Sequence, residues 1–263
     1  MHRYIRAFLT HTLLCCVCGA AAAAEGPDCS RPMTLALHDH GLLYSVETGA
    51  GIDKDFSDEL VRRSGCKISV SVMPRARIWQ LIESGALDFS LSGITNEERE
   101  KFAGFAWYFS NKYYLLVRKD TGVDKLSDFE SALALKLGAI RSFRYGNNAN
   151  RFADKLDAQR RVSYSTGLEP LYKILVINRI QGMIIEPFDY PALEENKIRE
   201  LTTIIEFDDP SIRHGLIMSK KAIAPKEQEK WQALVNTMLA DGTMLRIFDK
   251  YFKPEIARNL VNF

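Results

Sequence analysis

Between Met33 and Ser92 the sequence switches repeatedly between a two-residue and a 3.6-residue hydrophobic period, and this alternation limits the fold more than any other feature. MTLAL (33–37) reads as a strand. DKDFSDELVRRSG places Phe56, Leu60 and Val61 on one helical face and ends on Gly65, a helix stop. KISVSV alternates as a second strand, RARIWQLIESG is a helix with Ile78, Leu81 and Ile82 inward, and LDFSLS is a third strand. This βαβαβ order calls for a parallel sheet covered by helices on both faces. A second unit of the same kind starts at KLGAI (136–140), continues through NNANRFADKL and TGLEPLYKILVI, and ends on the strand GMIIE (182–186). Thr166 and Glu169 in that unit have the spacing of a capping box. The last third adds the strand GLIMS, a helix with Trp231, Leu234, Val235, Met238 and Leu239 inward and Asp241-Gly242 as its end, and the amphipathic segment TMLRIFDKYF.

Two α/β lobes follow, which suits a chain of 263 residues better than one domain of about 100 to 150. No Pro/Gly/Ser-rich linker separates them. KYYLLVRKD (112–120) and RHGLIMSKK (213–221) are the β-rich stretches placed to cross between lobes, giving one lobe from 25–117 plus 216–263 and an inserted lobe from 118–215. Two strands shared by two lobes make a hinge. In open α/β sheets ligands sit beyond the carboxyl ends of the strands. The cleft is therefore expected to be lined by Asp39, Ser92, Gly93 and the following residues to Thr95, Arg141 to Tyr145, and Glu186.

Residues 1–24 carry Arg3 and Arg6, an apolar stretch and a terminal run of alanines, the pattern of a cleaved export signal. The uncharged run is shorter than the roughly 20 residues of a spanning helix and His11 interrupts it, so no stable membrane insertion is expected. Cys16 and Cys18 lack the small residues that a lipidation signal needs before the cysteine. Cleavage removes two of the 35 basic residues and none of the 33 acidic ones, leaving a formally neutral chain with no basic run, hence no expected nucleic-acid or anionic-membrane partner. It also leaves only Cys29 and Cys66, in a compartment where disulfides persist. If the first two strands lie side by side, these cysteines stand just before them at one edge, and a bridge is expected, contributing roughly 3 to 4 kcal/mol.

Three motifs carry a resemblance. GIDKDFSDEL is similar to the segment that opens the first helix in the bacterial extracellular solute-binding proteins of family 3, which serve polar amino acid ABC transporters. LIESGALDFSLSGITNEER resembles that family's LIxxLxxGxxDxxxxGxTxxxER stretch, and LADGTMLRIFDKYF resembles its DGTxxxIxxKYF. Together they span most of the chain in the family's order. The resemblance implies a type II periplasmic-binding-protein (Venus flytrap) fold, a monomer that closes on one small molecule in the periplasm, and delivery to an ABC permease or signalling to a sensor protein.

It also implies a site. Thr95 and Arg99 stand where the family holds the ligand's carboxylate, though one residue closer together than usual. Read without the resemblance, an arginine among Glu97, Glu98 and Glu100 is a solvated helix turn. Glu186 replaces the aspartate that accepts the ligand's ammonium, Asp39 matches an acidic cleft position, and Tyr44 is placed to supply a covering ring. Where the family has Gly-Thr-Thr at a helix start, this chain has Ser142, Phe143 and Arg144, a bulkier and more charged loop that points to a second anionic group on the ligand. Arg77 and Arg144 are further cationic candidates, ahead of Arg75 and Arg141, for which surface salt bridges are expected.

Other chemistry finds little support. HDH (38–40) puts its histidines on one side of a strand and Asp39 on the other, with no further metal-type cluster, and no nucleotide or nucleophile motif occurs. No cofactor is expected. The rival is an enzyme on the same fold, a cyclic-acid dehydratase with Glu186 as general acid.

Overall fold

A computed structural model describes residues 26–263; the expected export signal at 1–24 lies outside them. The chain begins with β1 (Met33–Leu37), α1 (Ile52–Ser64), β2 (Ile68–Val72), α2 (Arg75–Ser84), β3 (Phe89–Gly93) and β4 (Ala103–Asn111). It continues with β5 (Tyr114–Arg118), α3 (Leu126–Ser131), β6 (Leu137–Ile140), α4 (Asn147–Ala158), β7 (Val162–Ser165), α5 (Leu168–Val176), β8 (Gly182–Ile185), α6 (Tyr190–Glu195), α7 (Ile198–Leu201) and β9 (Thr202–Glu206). It ends with β10 (Ile212–Ser219), α8 (Pro225–Ala240), α9 (Thr243–Phe248) and α10 (Pro254–Val261).

Two mixed sheets result, ordered β2-β1-β3-β10-β4 and β7-β6-β8-β5-β9. In the first, β1 lies parallel between β2 and β3, and β10 is antiparallel to both β3 and β4. The register sets Met33 beside Ile68, so Cys29 and Cys66 enter the sheet at one edge and are joined by a disulfide across 4.9 Å between Cα atoms. Gly65 stops α1 with φ 68, a left-handed turn that costs a side-chain-bearing residue roughly 1–2 kcal/mol. β2 is an edge strand, and its alternating sequence buries neither face: Val70 and Val72 are 42% and 44% exposed.

Each stretch expected to cross between lobes pairs mostly within one sheet. β5 pairs along its length with β8 and β9 in the second sheet, and β10 pairs with β3 and β4 in the first. The boundaries read at 117/118 and 215/216 therefore fall inside strands; the chain passes between lobes over residues 112–113 and 207–211. Local β character cannot say which sheet will accept a strand, and hydrogen-bond pairing decides it. The capping box at Thr166 and Glu169 is also absent, because α5 begins one residue later behind Gly167 with no side-chain cap.

Lobe 1 packs around Phe56, Phe89, Trp231 and Phe248, each wholly buried. One member of that core comes from lobe 2. Phe188, in the turn after β8, sits with its ring 5.2 Å from Phe109 and 5.5 Å from Phe252. Its carbonyl accepts the Leu42 N–H at 3.0 Å, and a side chain at Gly41 would strike that carbonyl. The turn that carries Glu186 and Asp189 is thus pinned to lobe 1.

Candidate functional site

α2 starts at Arg75 behind Pro74, and Arg75, Ile78, Trp79 and Ile82 share its buried face at i, i+3, i+4 and i+7. That geometry aims Arg75 into the cleft. Its guanidinium donates to the Leu91 carbonyl at 3.0 Å and to His38 Nδ1 at 2.8 Å. Burial, with the Arg75 charge beside it, keeps His38 well below the usual imidazole range, so it accepts as a neutral ring. Arg77, two residues on, is exposed. Arg75 rather than Arg77 lines the pocket, and the helical period held that signal.

Arg99 opens the short turn after β3 and is 8% exposed. It donates to the Ile94 carbonyl at 2.9 Å and, across the cleft, to the Ser142 carbonyl at 2.9 Å, and its guanidinium carbon lies 4.0 Å from the Trp79 ring centre. A solvated turn would show none of this. Burial pushes its pKa down to about 9, and the charges of Arg75 and Arg144 act the same way. Neither Arg75 nor Arg99 forms a salt bridge among the described residues. Thr95 is not brought to the pocket: its hydroxyl donates to Glu100 at 2.7 Å in an exposed bond.

Ser92 and Gly93 do line the pocket, with Arg75, Trp79, Arg99 and Phe143. Ser92 is held at φ 52 by three bonds: its hydroxyl to Asp53 at 2.6 Å, its N–H to the Tyr108 hydroxyl at 2.8 Å, and a hydroxyl contact with Tyr108 at 3.0 Å. Burial raises the Asp53 carboxyl to about 6 against those bonds. On the facing loop Ser142 is also left-handed, at φ 64, and exposed, so it contributes its carbonyl. Arg144 lines the pocket from a largely exposed position and pairs with Asp154 at 2.8 Å. The pocket measures about 20 Å³, room for one water.

Phe143 fills the space beside it. Its ring lies 5.6 Å from His38 and 5.0 Å from His40, with the Arg75 guanidinium 5.8 Å from its centre. Beyond it is a second cavity of about 10 Å³, bounded by His40, Glu186 and Asp189, with Phe143 and Tyr113 shared between the two. There Glu186, 2% exposed, accepts from His40 Nε2 at 2.7 Å and from the Asn111 amide at 2.8 Å. Burial works against both charges, but the hydrogen bond and mutual attraction prevail: His40 is raised and Glu186 lowered. Asp189, 3.8 Å from His40, is pushed up to about 7, chiefly by burial. Asp39 faces away, exposed, and accepts the Val46 N–H at 3.0 Å, while Tyr44 packs against the lobe 1 core rather than the pocket. No local signal could reveal the His40–Glu186 pair, since 146 residues separate its members.

The model of the bacterial extracellular solute-binding proteins, family 3, matches residues 38–254. The chain belongs to that family. Comparison with curated proteins gives no match. Among solved structures, the chain resembles a histidine-bound ABC uptake transporter substrate-binding protein from Streptococcus pneumoniae at 16% identity and TM-score 0.70, covering 84% of this chain and 92% of that one. An ancestral arginine-binding protein bound to arginine matches at 19% identity and TM-score 0.69, over 84% and 98% of the two chains. The arginine-, lysine-, histidine-binding protein ArtJ from Geobacillus stearothermophilus matches at 16% and 0.70, over 87% and 100%. At such identities the likeness establishes the type II periplasmic-binding-protein fold. For this family member, no helix among the described residues is long and apolar enough to cross a membrane, and no group of His, Cys, Asp or Glu there is placed to hold a metal ion.

Proposed function

We propose that this family member captures a small carboxylate-bearing ligand, an amino acid or a related compound, between its lobes in the periplasm and presents it to an ABC permease. Arg99 carries this reading. It is a buried guanidinium at the seam of the two lobes, bonded to both, with a pocket at its side and no carboxylate partner among the described residues. A ligand carboxylate satisfies such a group with charge-assisted, bidentate bonds, and closing the lobes removes water that would screen them. The amino acid-binding neighbours support the same class of ligand. A sensor protein that recognises the closed form is the alternative partner, and residues 1–24 supply the export address.

Binding without turnover is part of the proposal. A general acid needs a raised pKa, whereas the His40 bond holds Glu186 ionised. The test is a thermal-shift screen of the purified protein against amino acids and small carboxylates, followed by calorimetry of each hit. A ligand at a hundredfold excess over its Kd adds about 2.7 kcal/mol of stability, and the compound should be recovered unchanged. A hit whose affinity survives Arg99→Ala would sink the proposed site. Chemical conversion of the hit, lost in Glu186→Gln, would replace binder by enzyme.

A further inference from the structure

Resting on that reading, we propose that the ligand is a small dicarboxylate without an amino group, one carboxylate held by Arg99 and the other by Arg75. An amino acid needs a free anion to meet its ammonium, and the pocket beside Arg99 has none. Its wall holds three arginines, Arg75, Arg99 and Arg144, and no aspartate or glutamate. An ammonium placed there would face like charges. The acid expected to meet it, Glu186, is already engaged by His40 at 2.7 Å and by Asn111 at 2.8 Å, and lies on the far side of Phe143 and Tyr113.

The backbone alternative for a carboxylate is also closed. Helix α4 begins where a helix start would offer N–H groups to an anion, but the Asn148 and Ala149 N–H groups donate to the Asp209 carboxylate at 2.9 and 3.0 Å. The buried charged donors left for a ligand are the two guanidiniums, with the Trp79 indole N–H, unpartnered among the described residues, beside them. Each guanidinium has five N–H groups. Arg75 spends its bonds on a carbonyl and a neutral imidazole, Arg99 on two carbonyls, and neither meets a negative charge at contact distance. Leaving one buried cation without a contacting counter-ion is costly, and two along one small pocket repel as well; burial lowers the pKa of both arginines, and the Arg75 charge lowers that of Arg99 further. Two carboxylates on one short skeleton relieve it. Because the pocket admits about one water, entry requires Phe143 to swing aside or the lobes to part.

Calorimetry of the purified protein decides the matter with the straight-chain dicarboxylates from malonate to adipate, 2-oxoglutarate, the matching monocarboxylates, L-glutamate, L-arginine and L-histidine. The tightest dicarboxylate is expected to bind at least tenfold more tightly than its monocarboxylate counterpart and than every amino acid. Arg75→Gln should erase the preference of the best dicarboxylate over its monocarboxylate counterpart; should that variant fail to fold, the selectivity of the unsubstituted protein decides alone. An amino acid or monocarboxylate that binds as tightly as the best dicarboxylate overturns the proposal, and the carboxylate-capture reading survives if Arg99→Ala abolishes that binding. Failure of every compound to bind overturns both.

Discussion

The two sides of the cleft hold comparable amounts of buried charge and treat it in opposite ways. On the hinge side Glu186 is bonded by His40 and Asn111, its charge paired with that of His40 even though His40 Nδ1, Asn111 Oδ1 and Asp189 Oδ1 find no hydrogen-bond partner among the described residues, and Phe188 between the two acids is embedded in the core of lobe 1. On the mouth side Arg75 and Arg99 are as deeply buried, at 4% and 8% exposure, yet bond only to carbonyls and a neutral histidine. A self-paired network resists change and ties lobes together. An unpaired cation is a demand that something from outside can meet. On the proposed reading, the difference gives stability to one side and recognition to the other.

Breaking that assignment starts with the largest effect. Glu186→Ala strands the His40 charge and the Asn111 amide in a buried site, and removing one member of such a pair typically costs about 3–5 kcal/mol. Denaturant unfolding should show that loss, with ligand affinity changed far less among molecules that still fold. Equal damage to affinity would place recognition on the hinge side too.

Arg99→Ala is the mirror case. Binding should weaken by about 2–5 kcal/mol, the usual cost of truncating one side of a buried charge pair, while the unfolding midpoint stays close to that of the parent, since the group removed is an unpaired buried cation. A protein that loses its fold but keeps its ligand would invert the comparison.

Acidity between pH 6 and pH 8 probes chiefly the hinge side, because Arg99, lowered to about 9, and Asp53, raised to about 6, titrate at the edges of that window. His40 is raised in the folded state, so its contribution is full below the ordinary imidazole range and fades as pH climbs through the raised value. Asp189, raised to about 7, acts in the same direction: the unfolded chain releases that proton near pH 4 and the folded chain only near 7, so stability drops between them. Glu186, lowered, loses its contribution only in stronger acid. His38 and His214, both lowered by burial, stay neutral near pH 7, and Arg75 stays charged because a guanidinium keeps its proton in proteins. The melting temperature should therefore decline from pH 6 to pH 8, and the decline should shrink in His40→Gln. A flat profile would mean that the pair does not hold the hinge.

The smallest effects separate neighbours in sequence from neighbours in the cleft. Thr95→Val removes an exposed bond to Glu100, and Arg77→Ala removes an exposed side chain, so each should leave ligand affinity within about 0.5 kcal/mol of the parent. A tenfold loss from Thr95→Val would show that its hydroxyl leaves Glu100 for the ligand when the site is filled.

What the sequence determined by itself was local or topological. Periodicity gave β1, α1, β3, α4 and α8, because a half-buried strand or helix writes its inward face into a period of two or 3.6 residues. The doubly wound order then placed Cys29 beside Cys66, because consecutive parallel strands of one unit lie next to each other. The family resemblance singled out Arg99, and the burial of Arg75 was readable from its place on the face of Ile78 and Ile82. Tertiary structure alone decided where β5 and β10 pair, that Asp209 covers the start of α4, and that Glu186 bonds His40. Those outcomes rest on partners tens to hundreds of residues apart, whose competition for the same hydrogen bonds and charges is settled only when the chain has brought them within about 3 Å of each other.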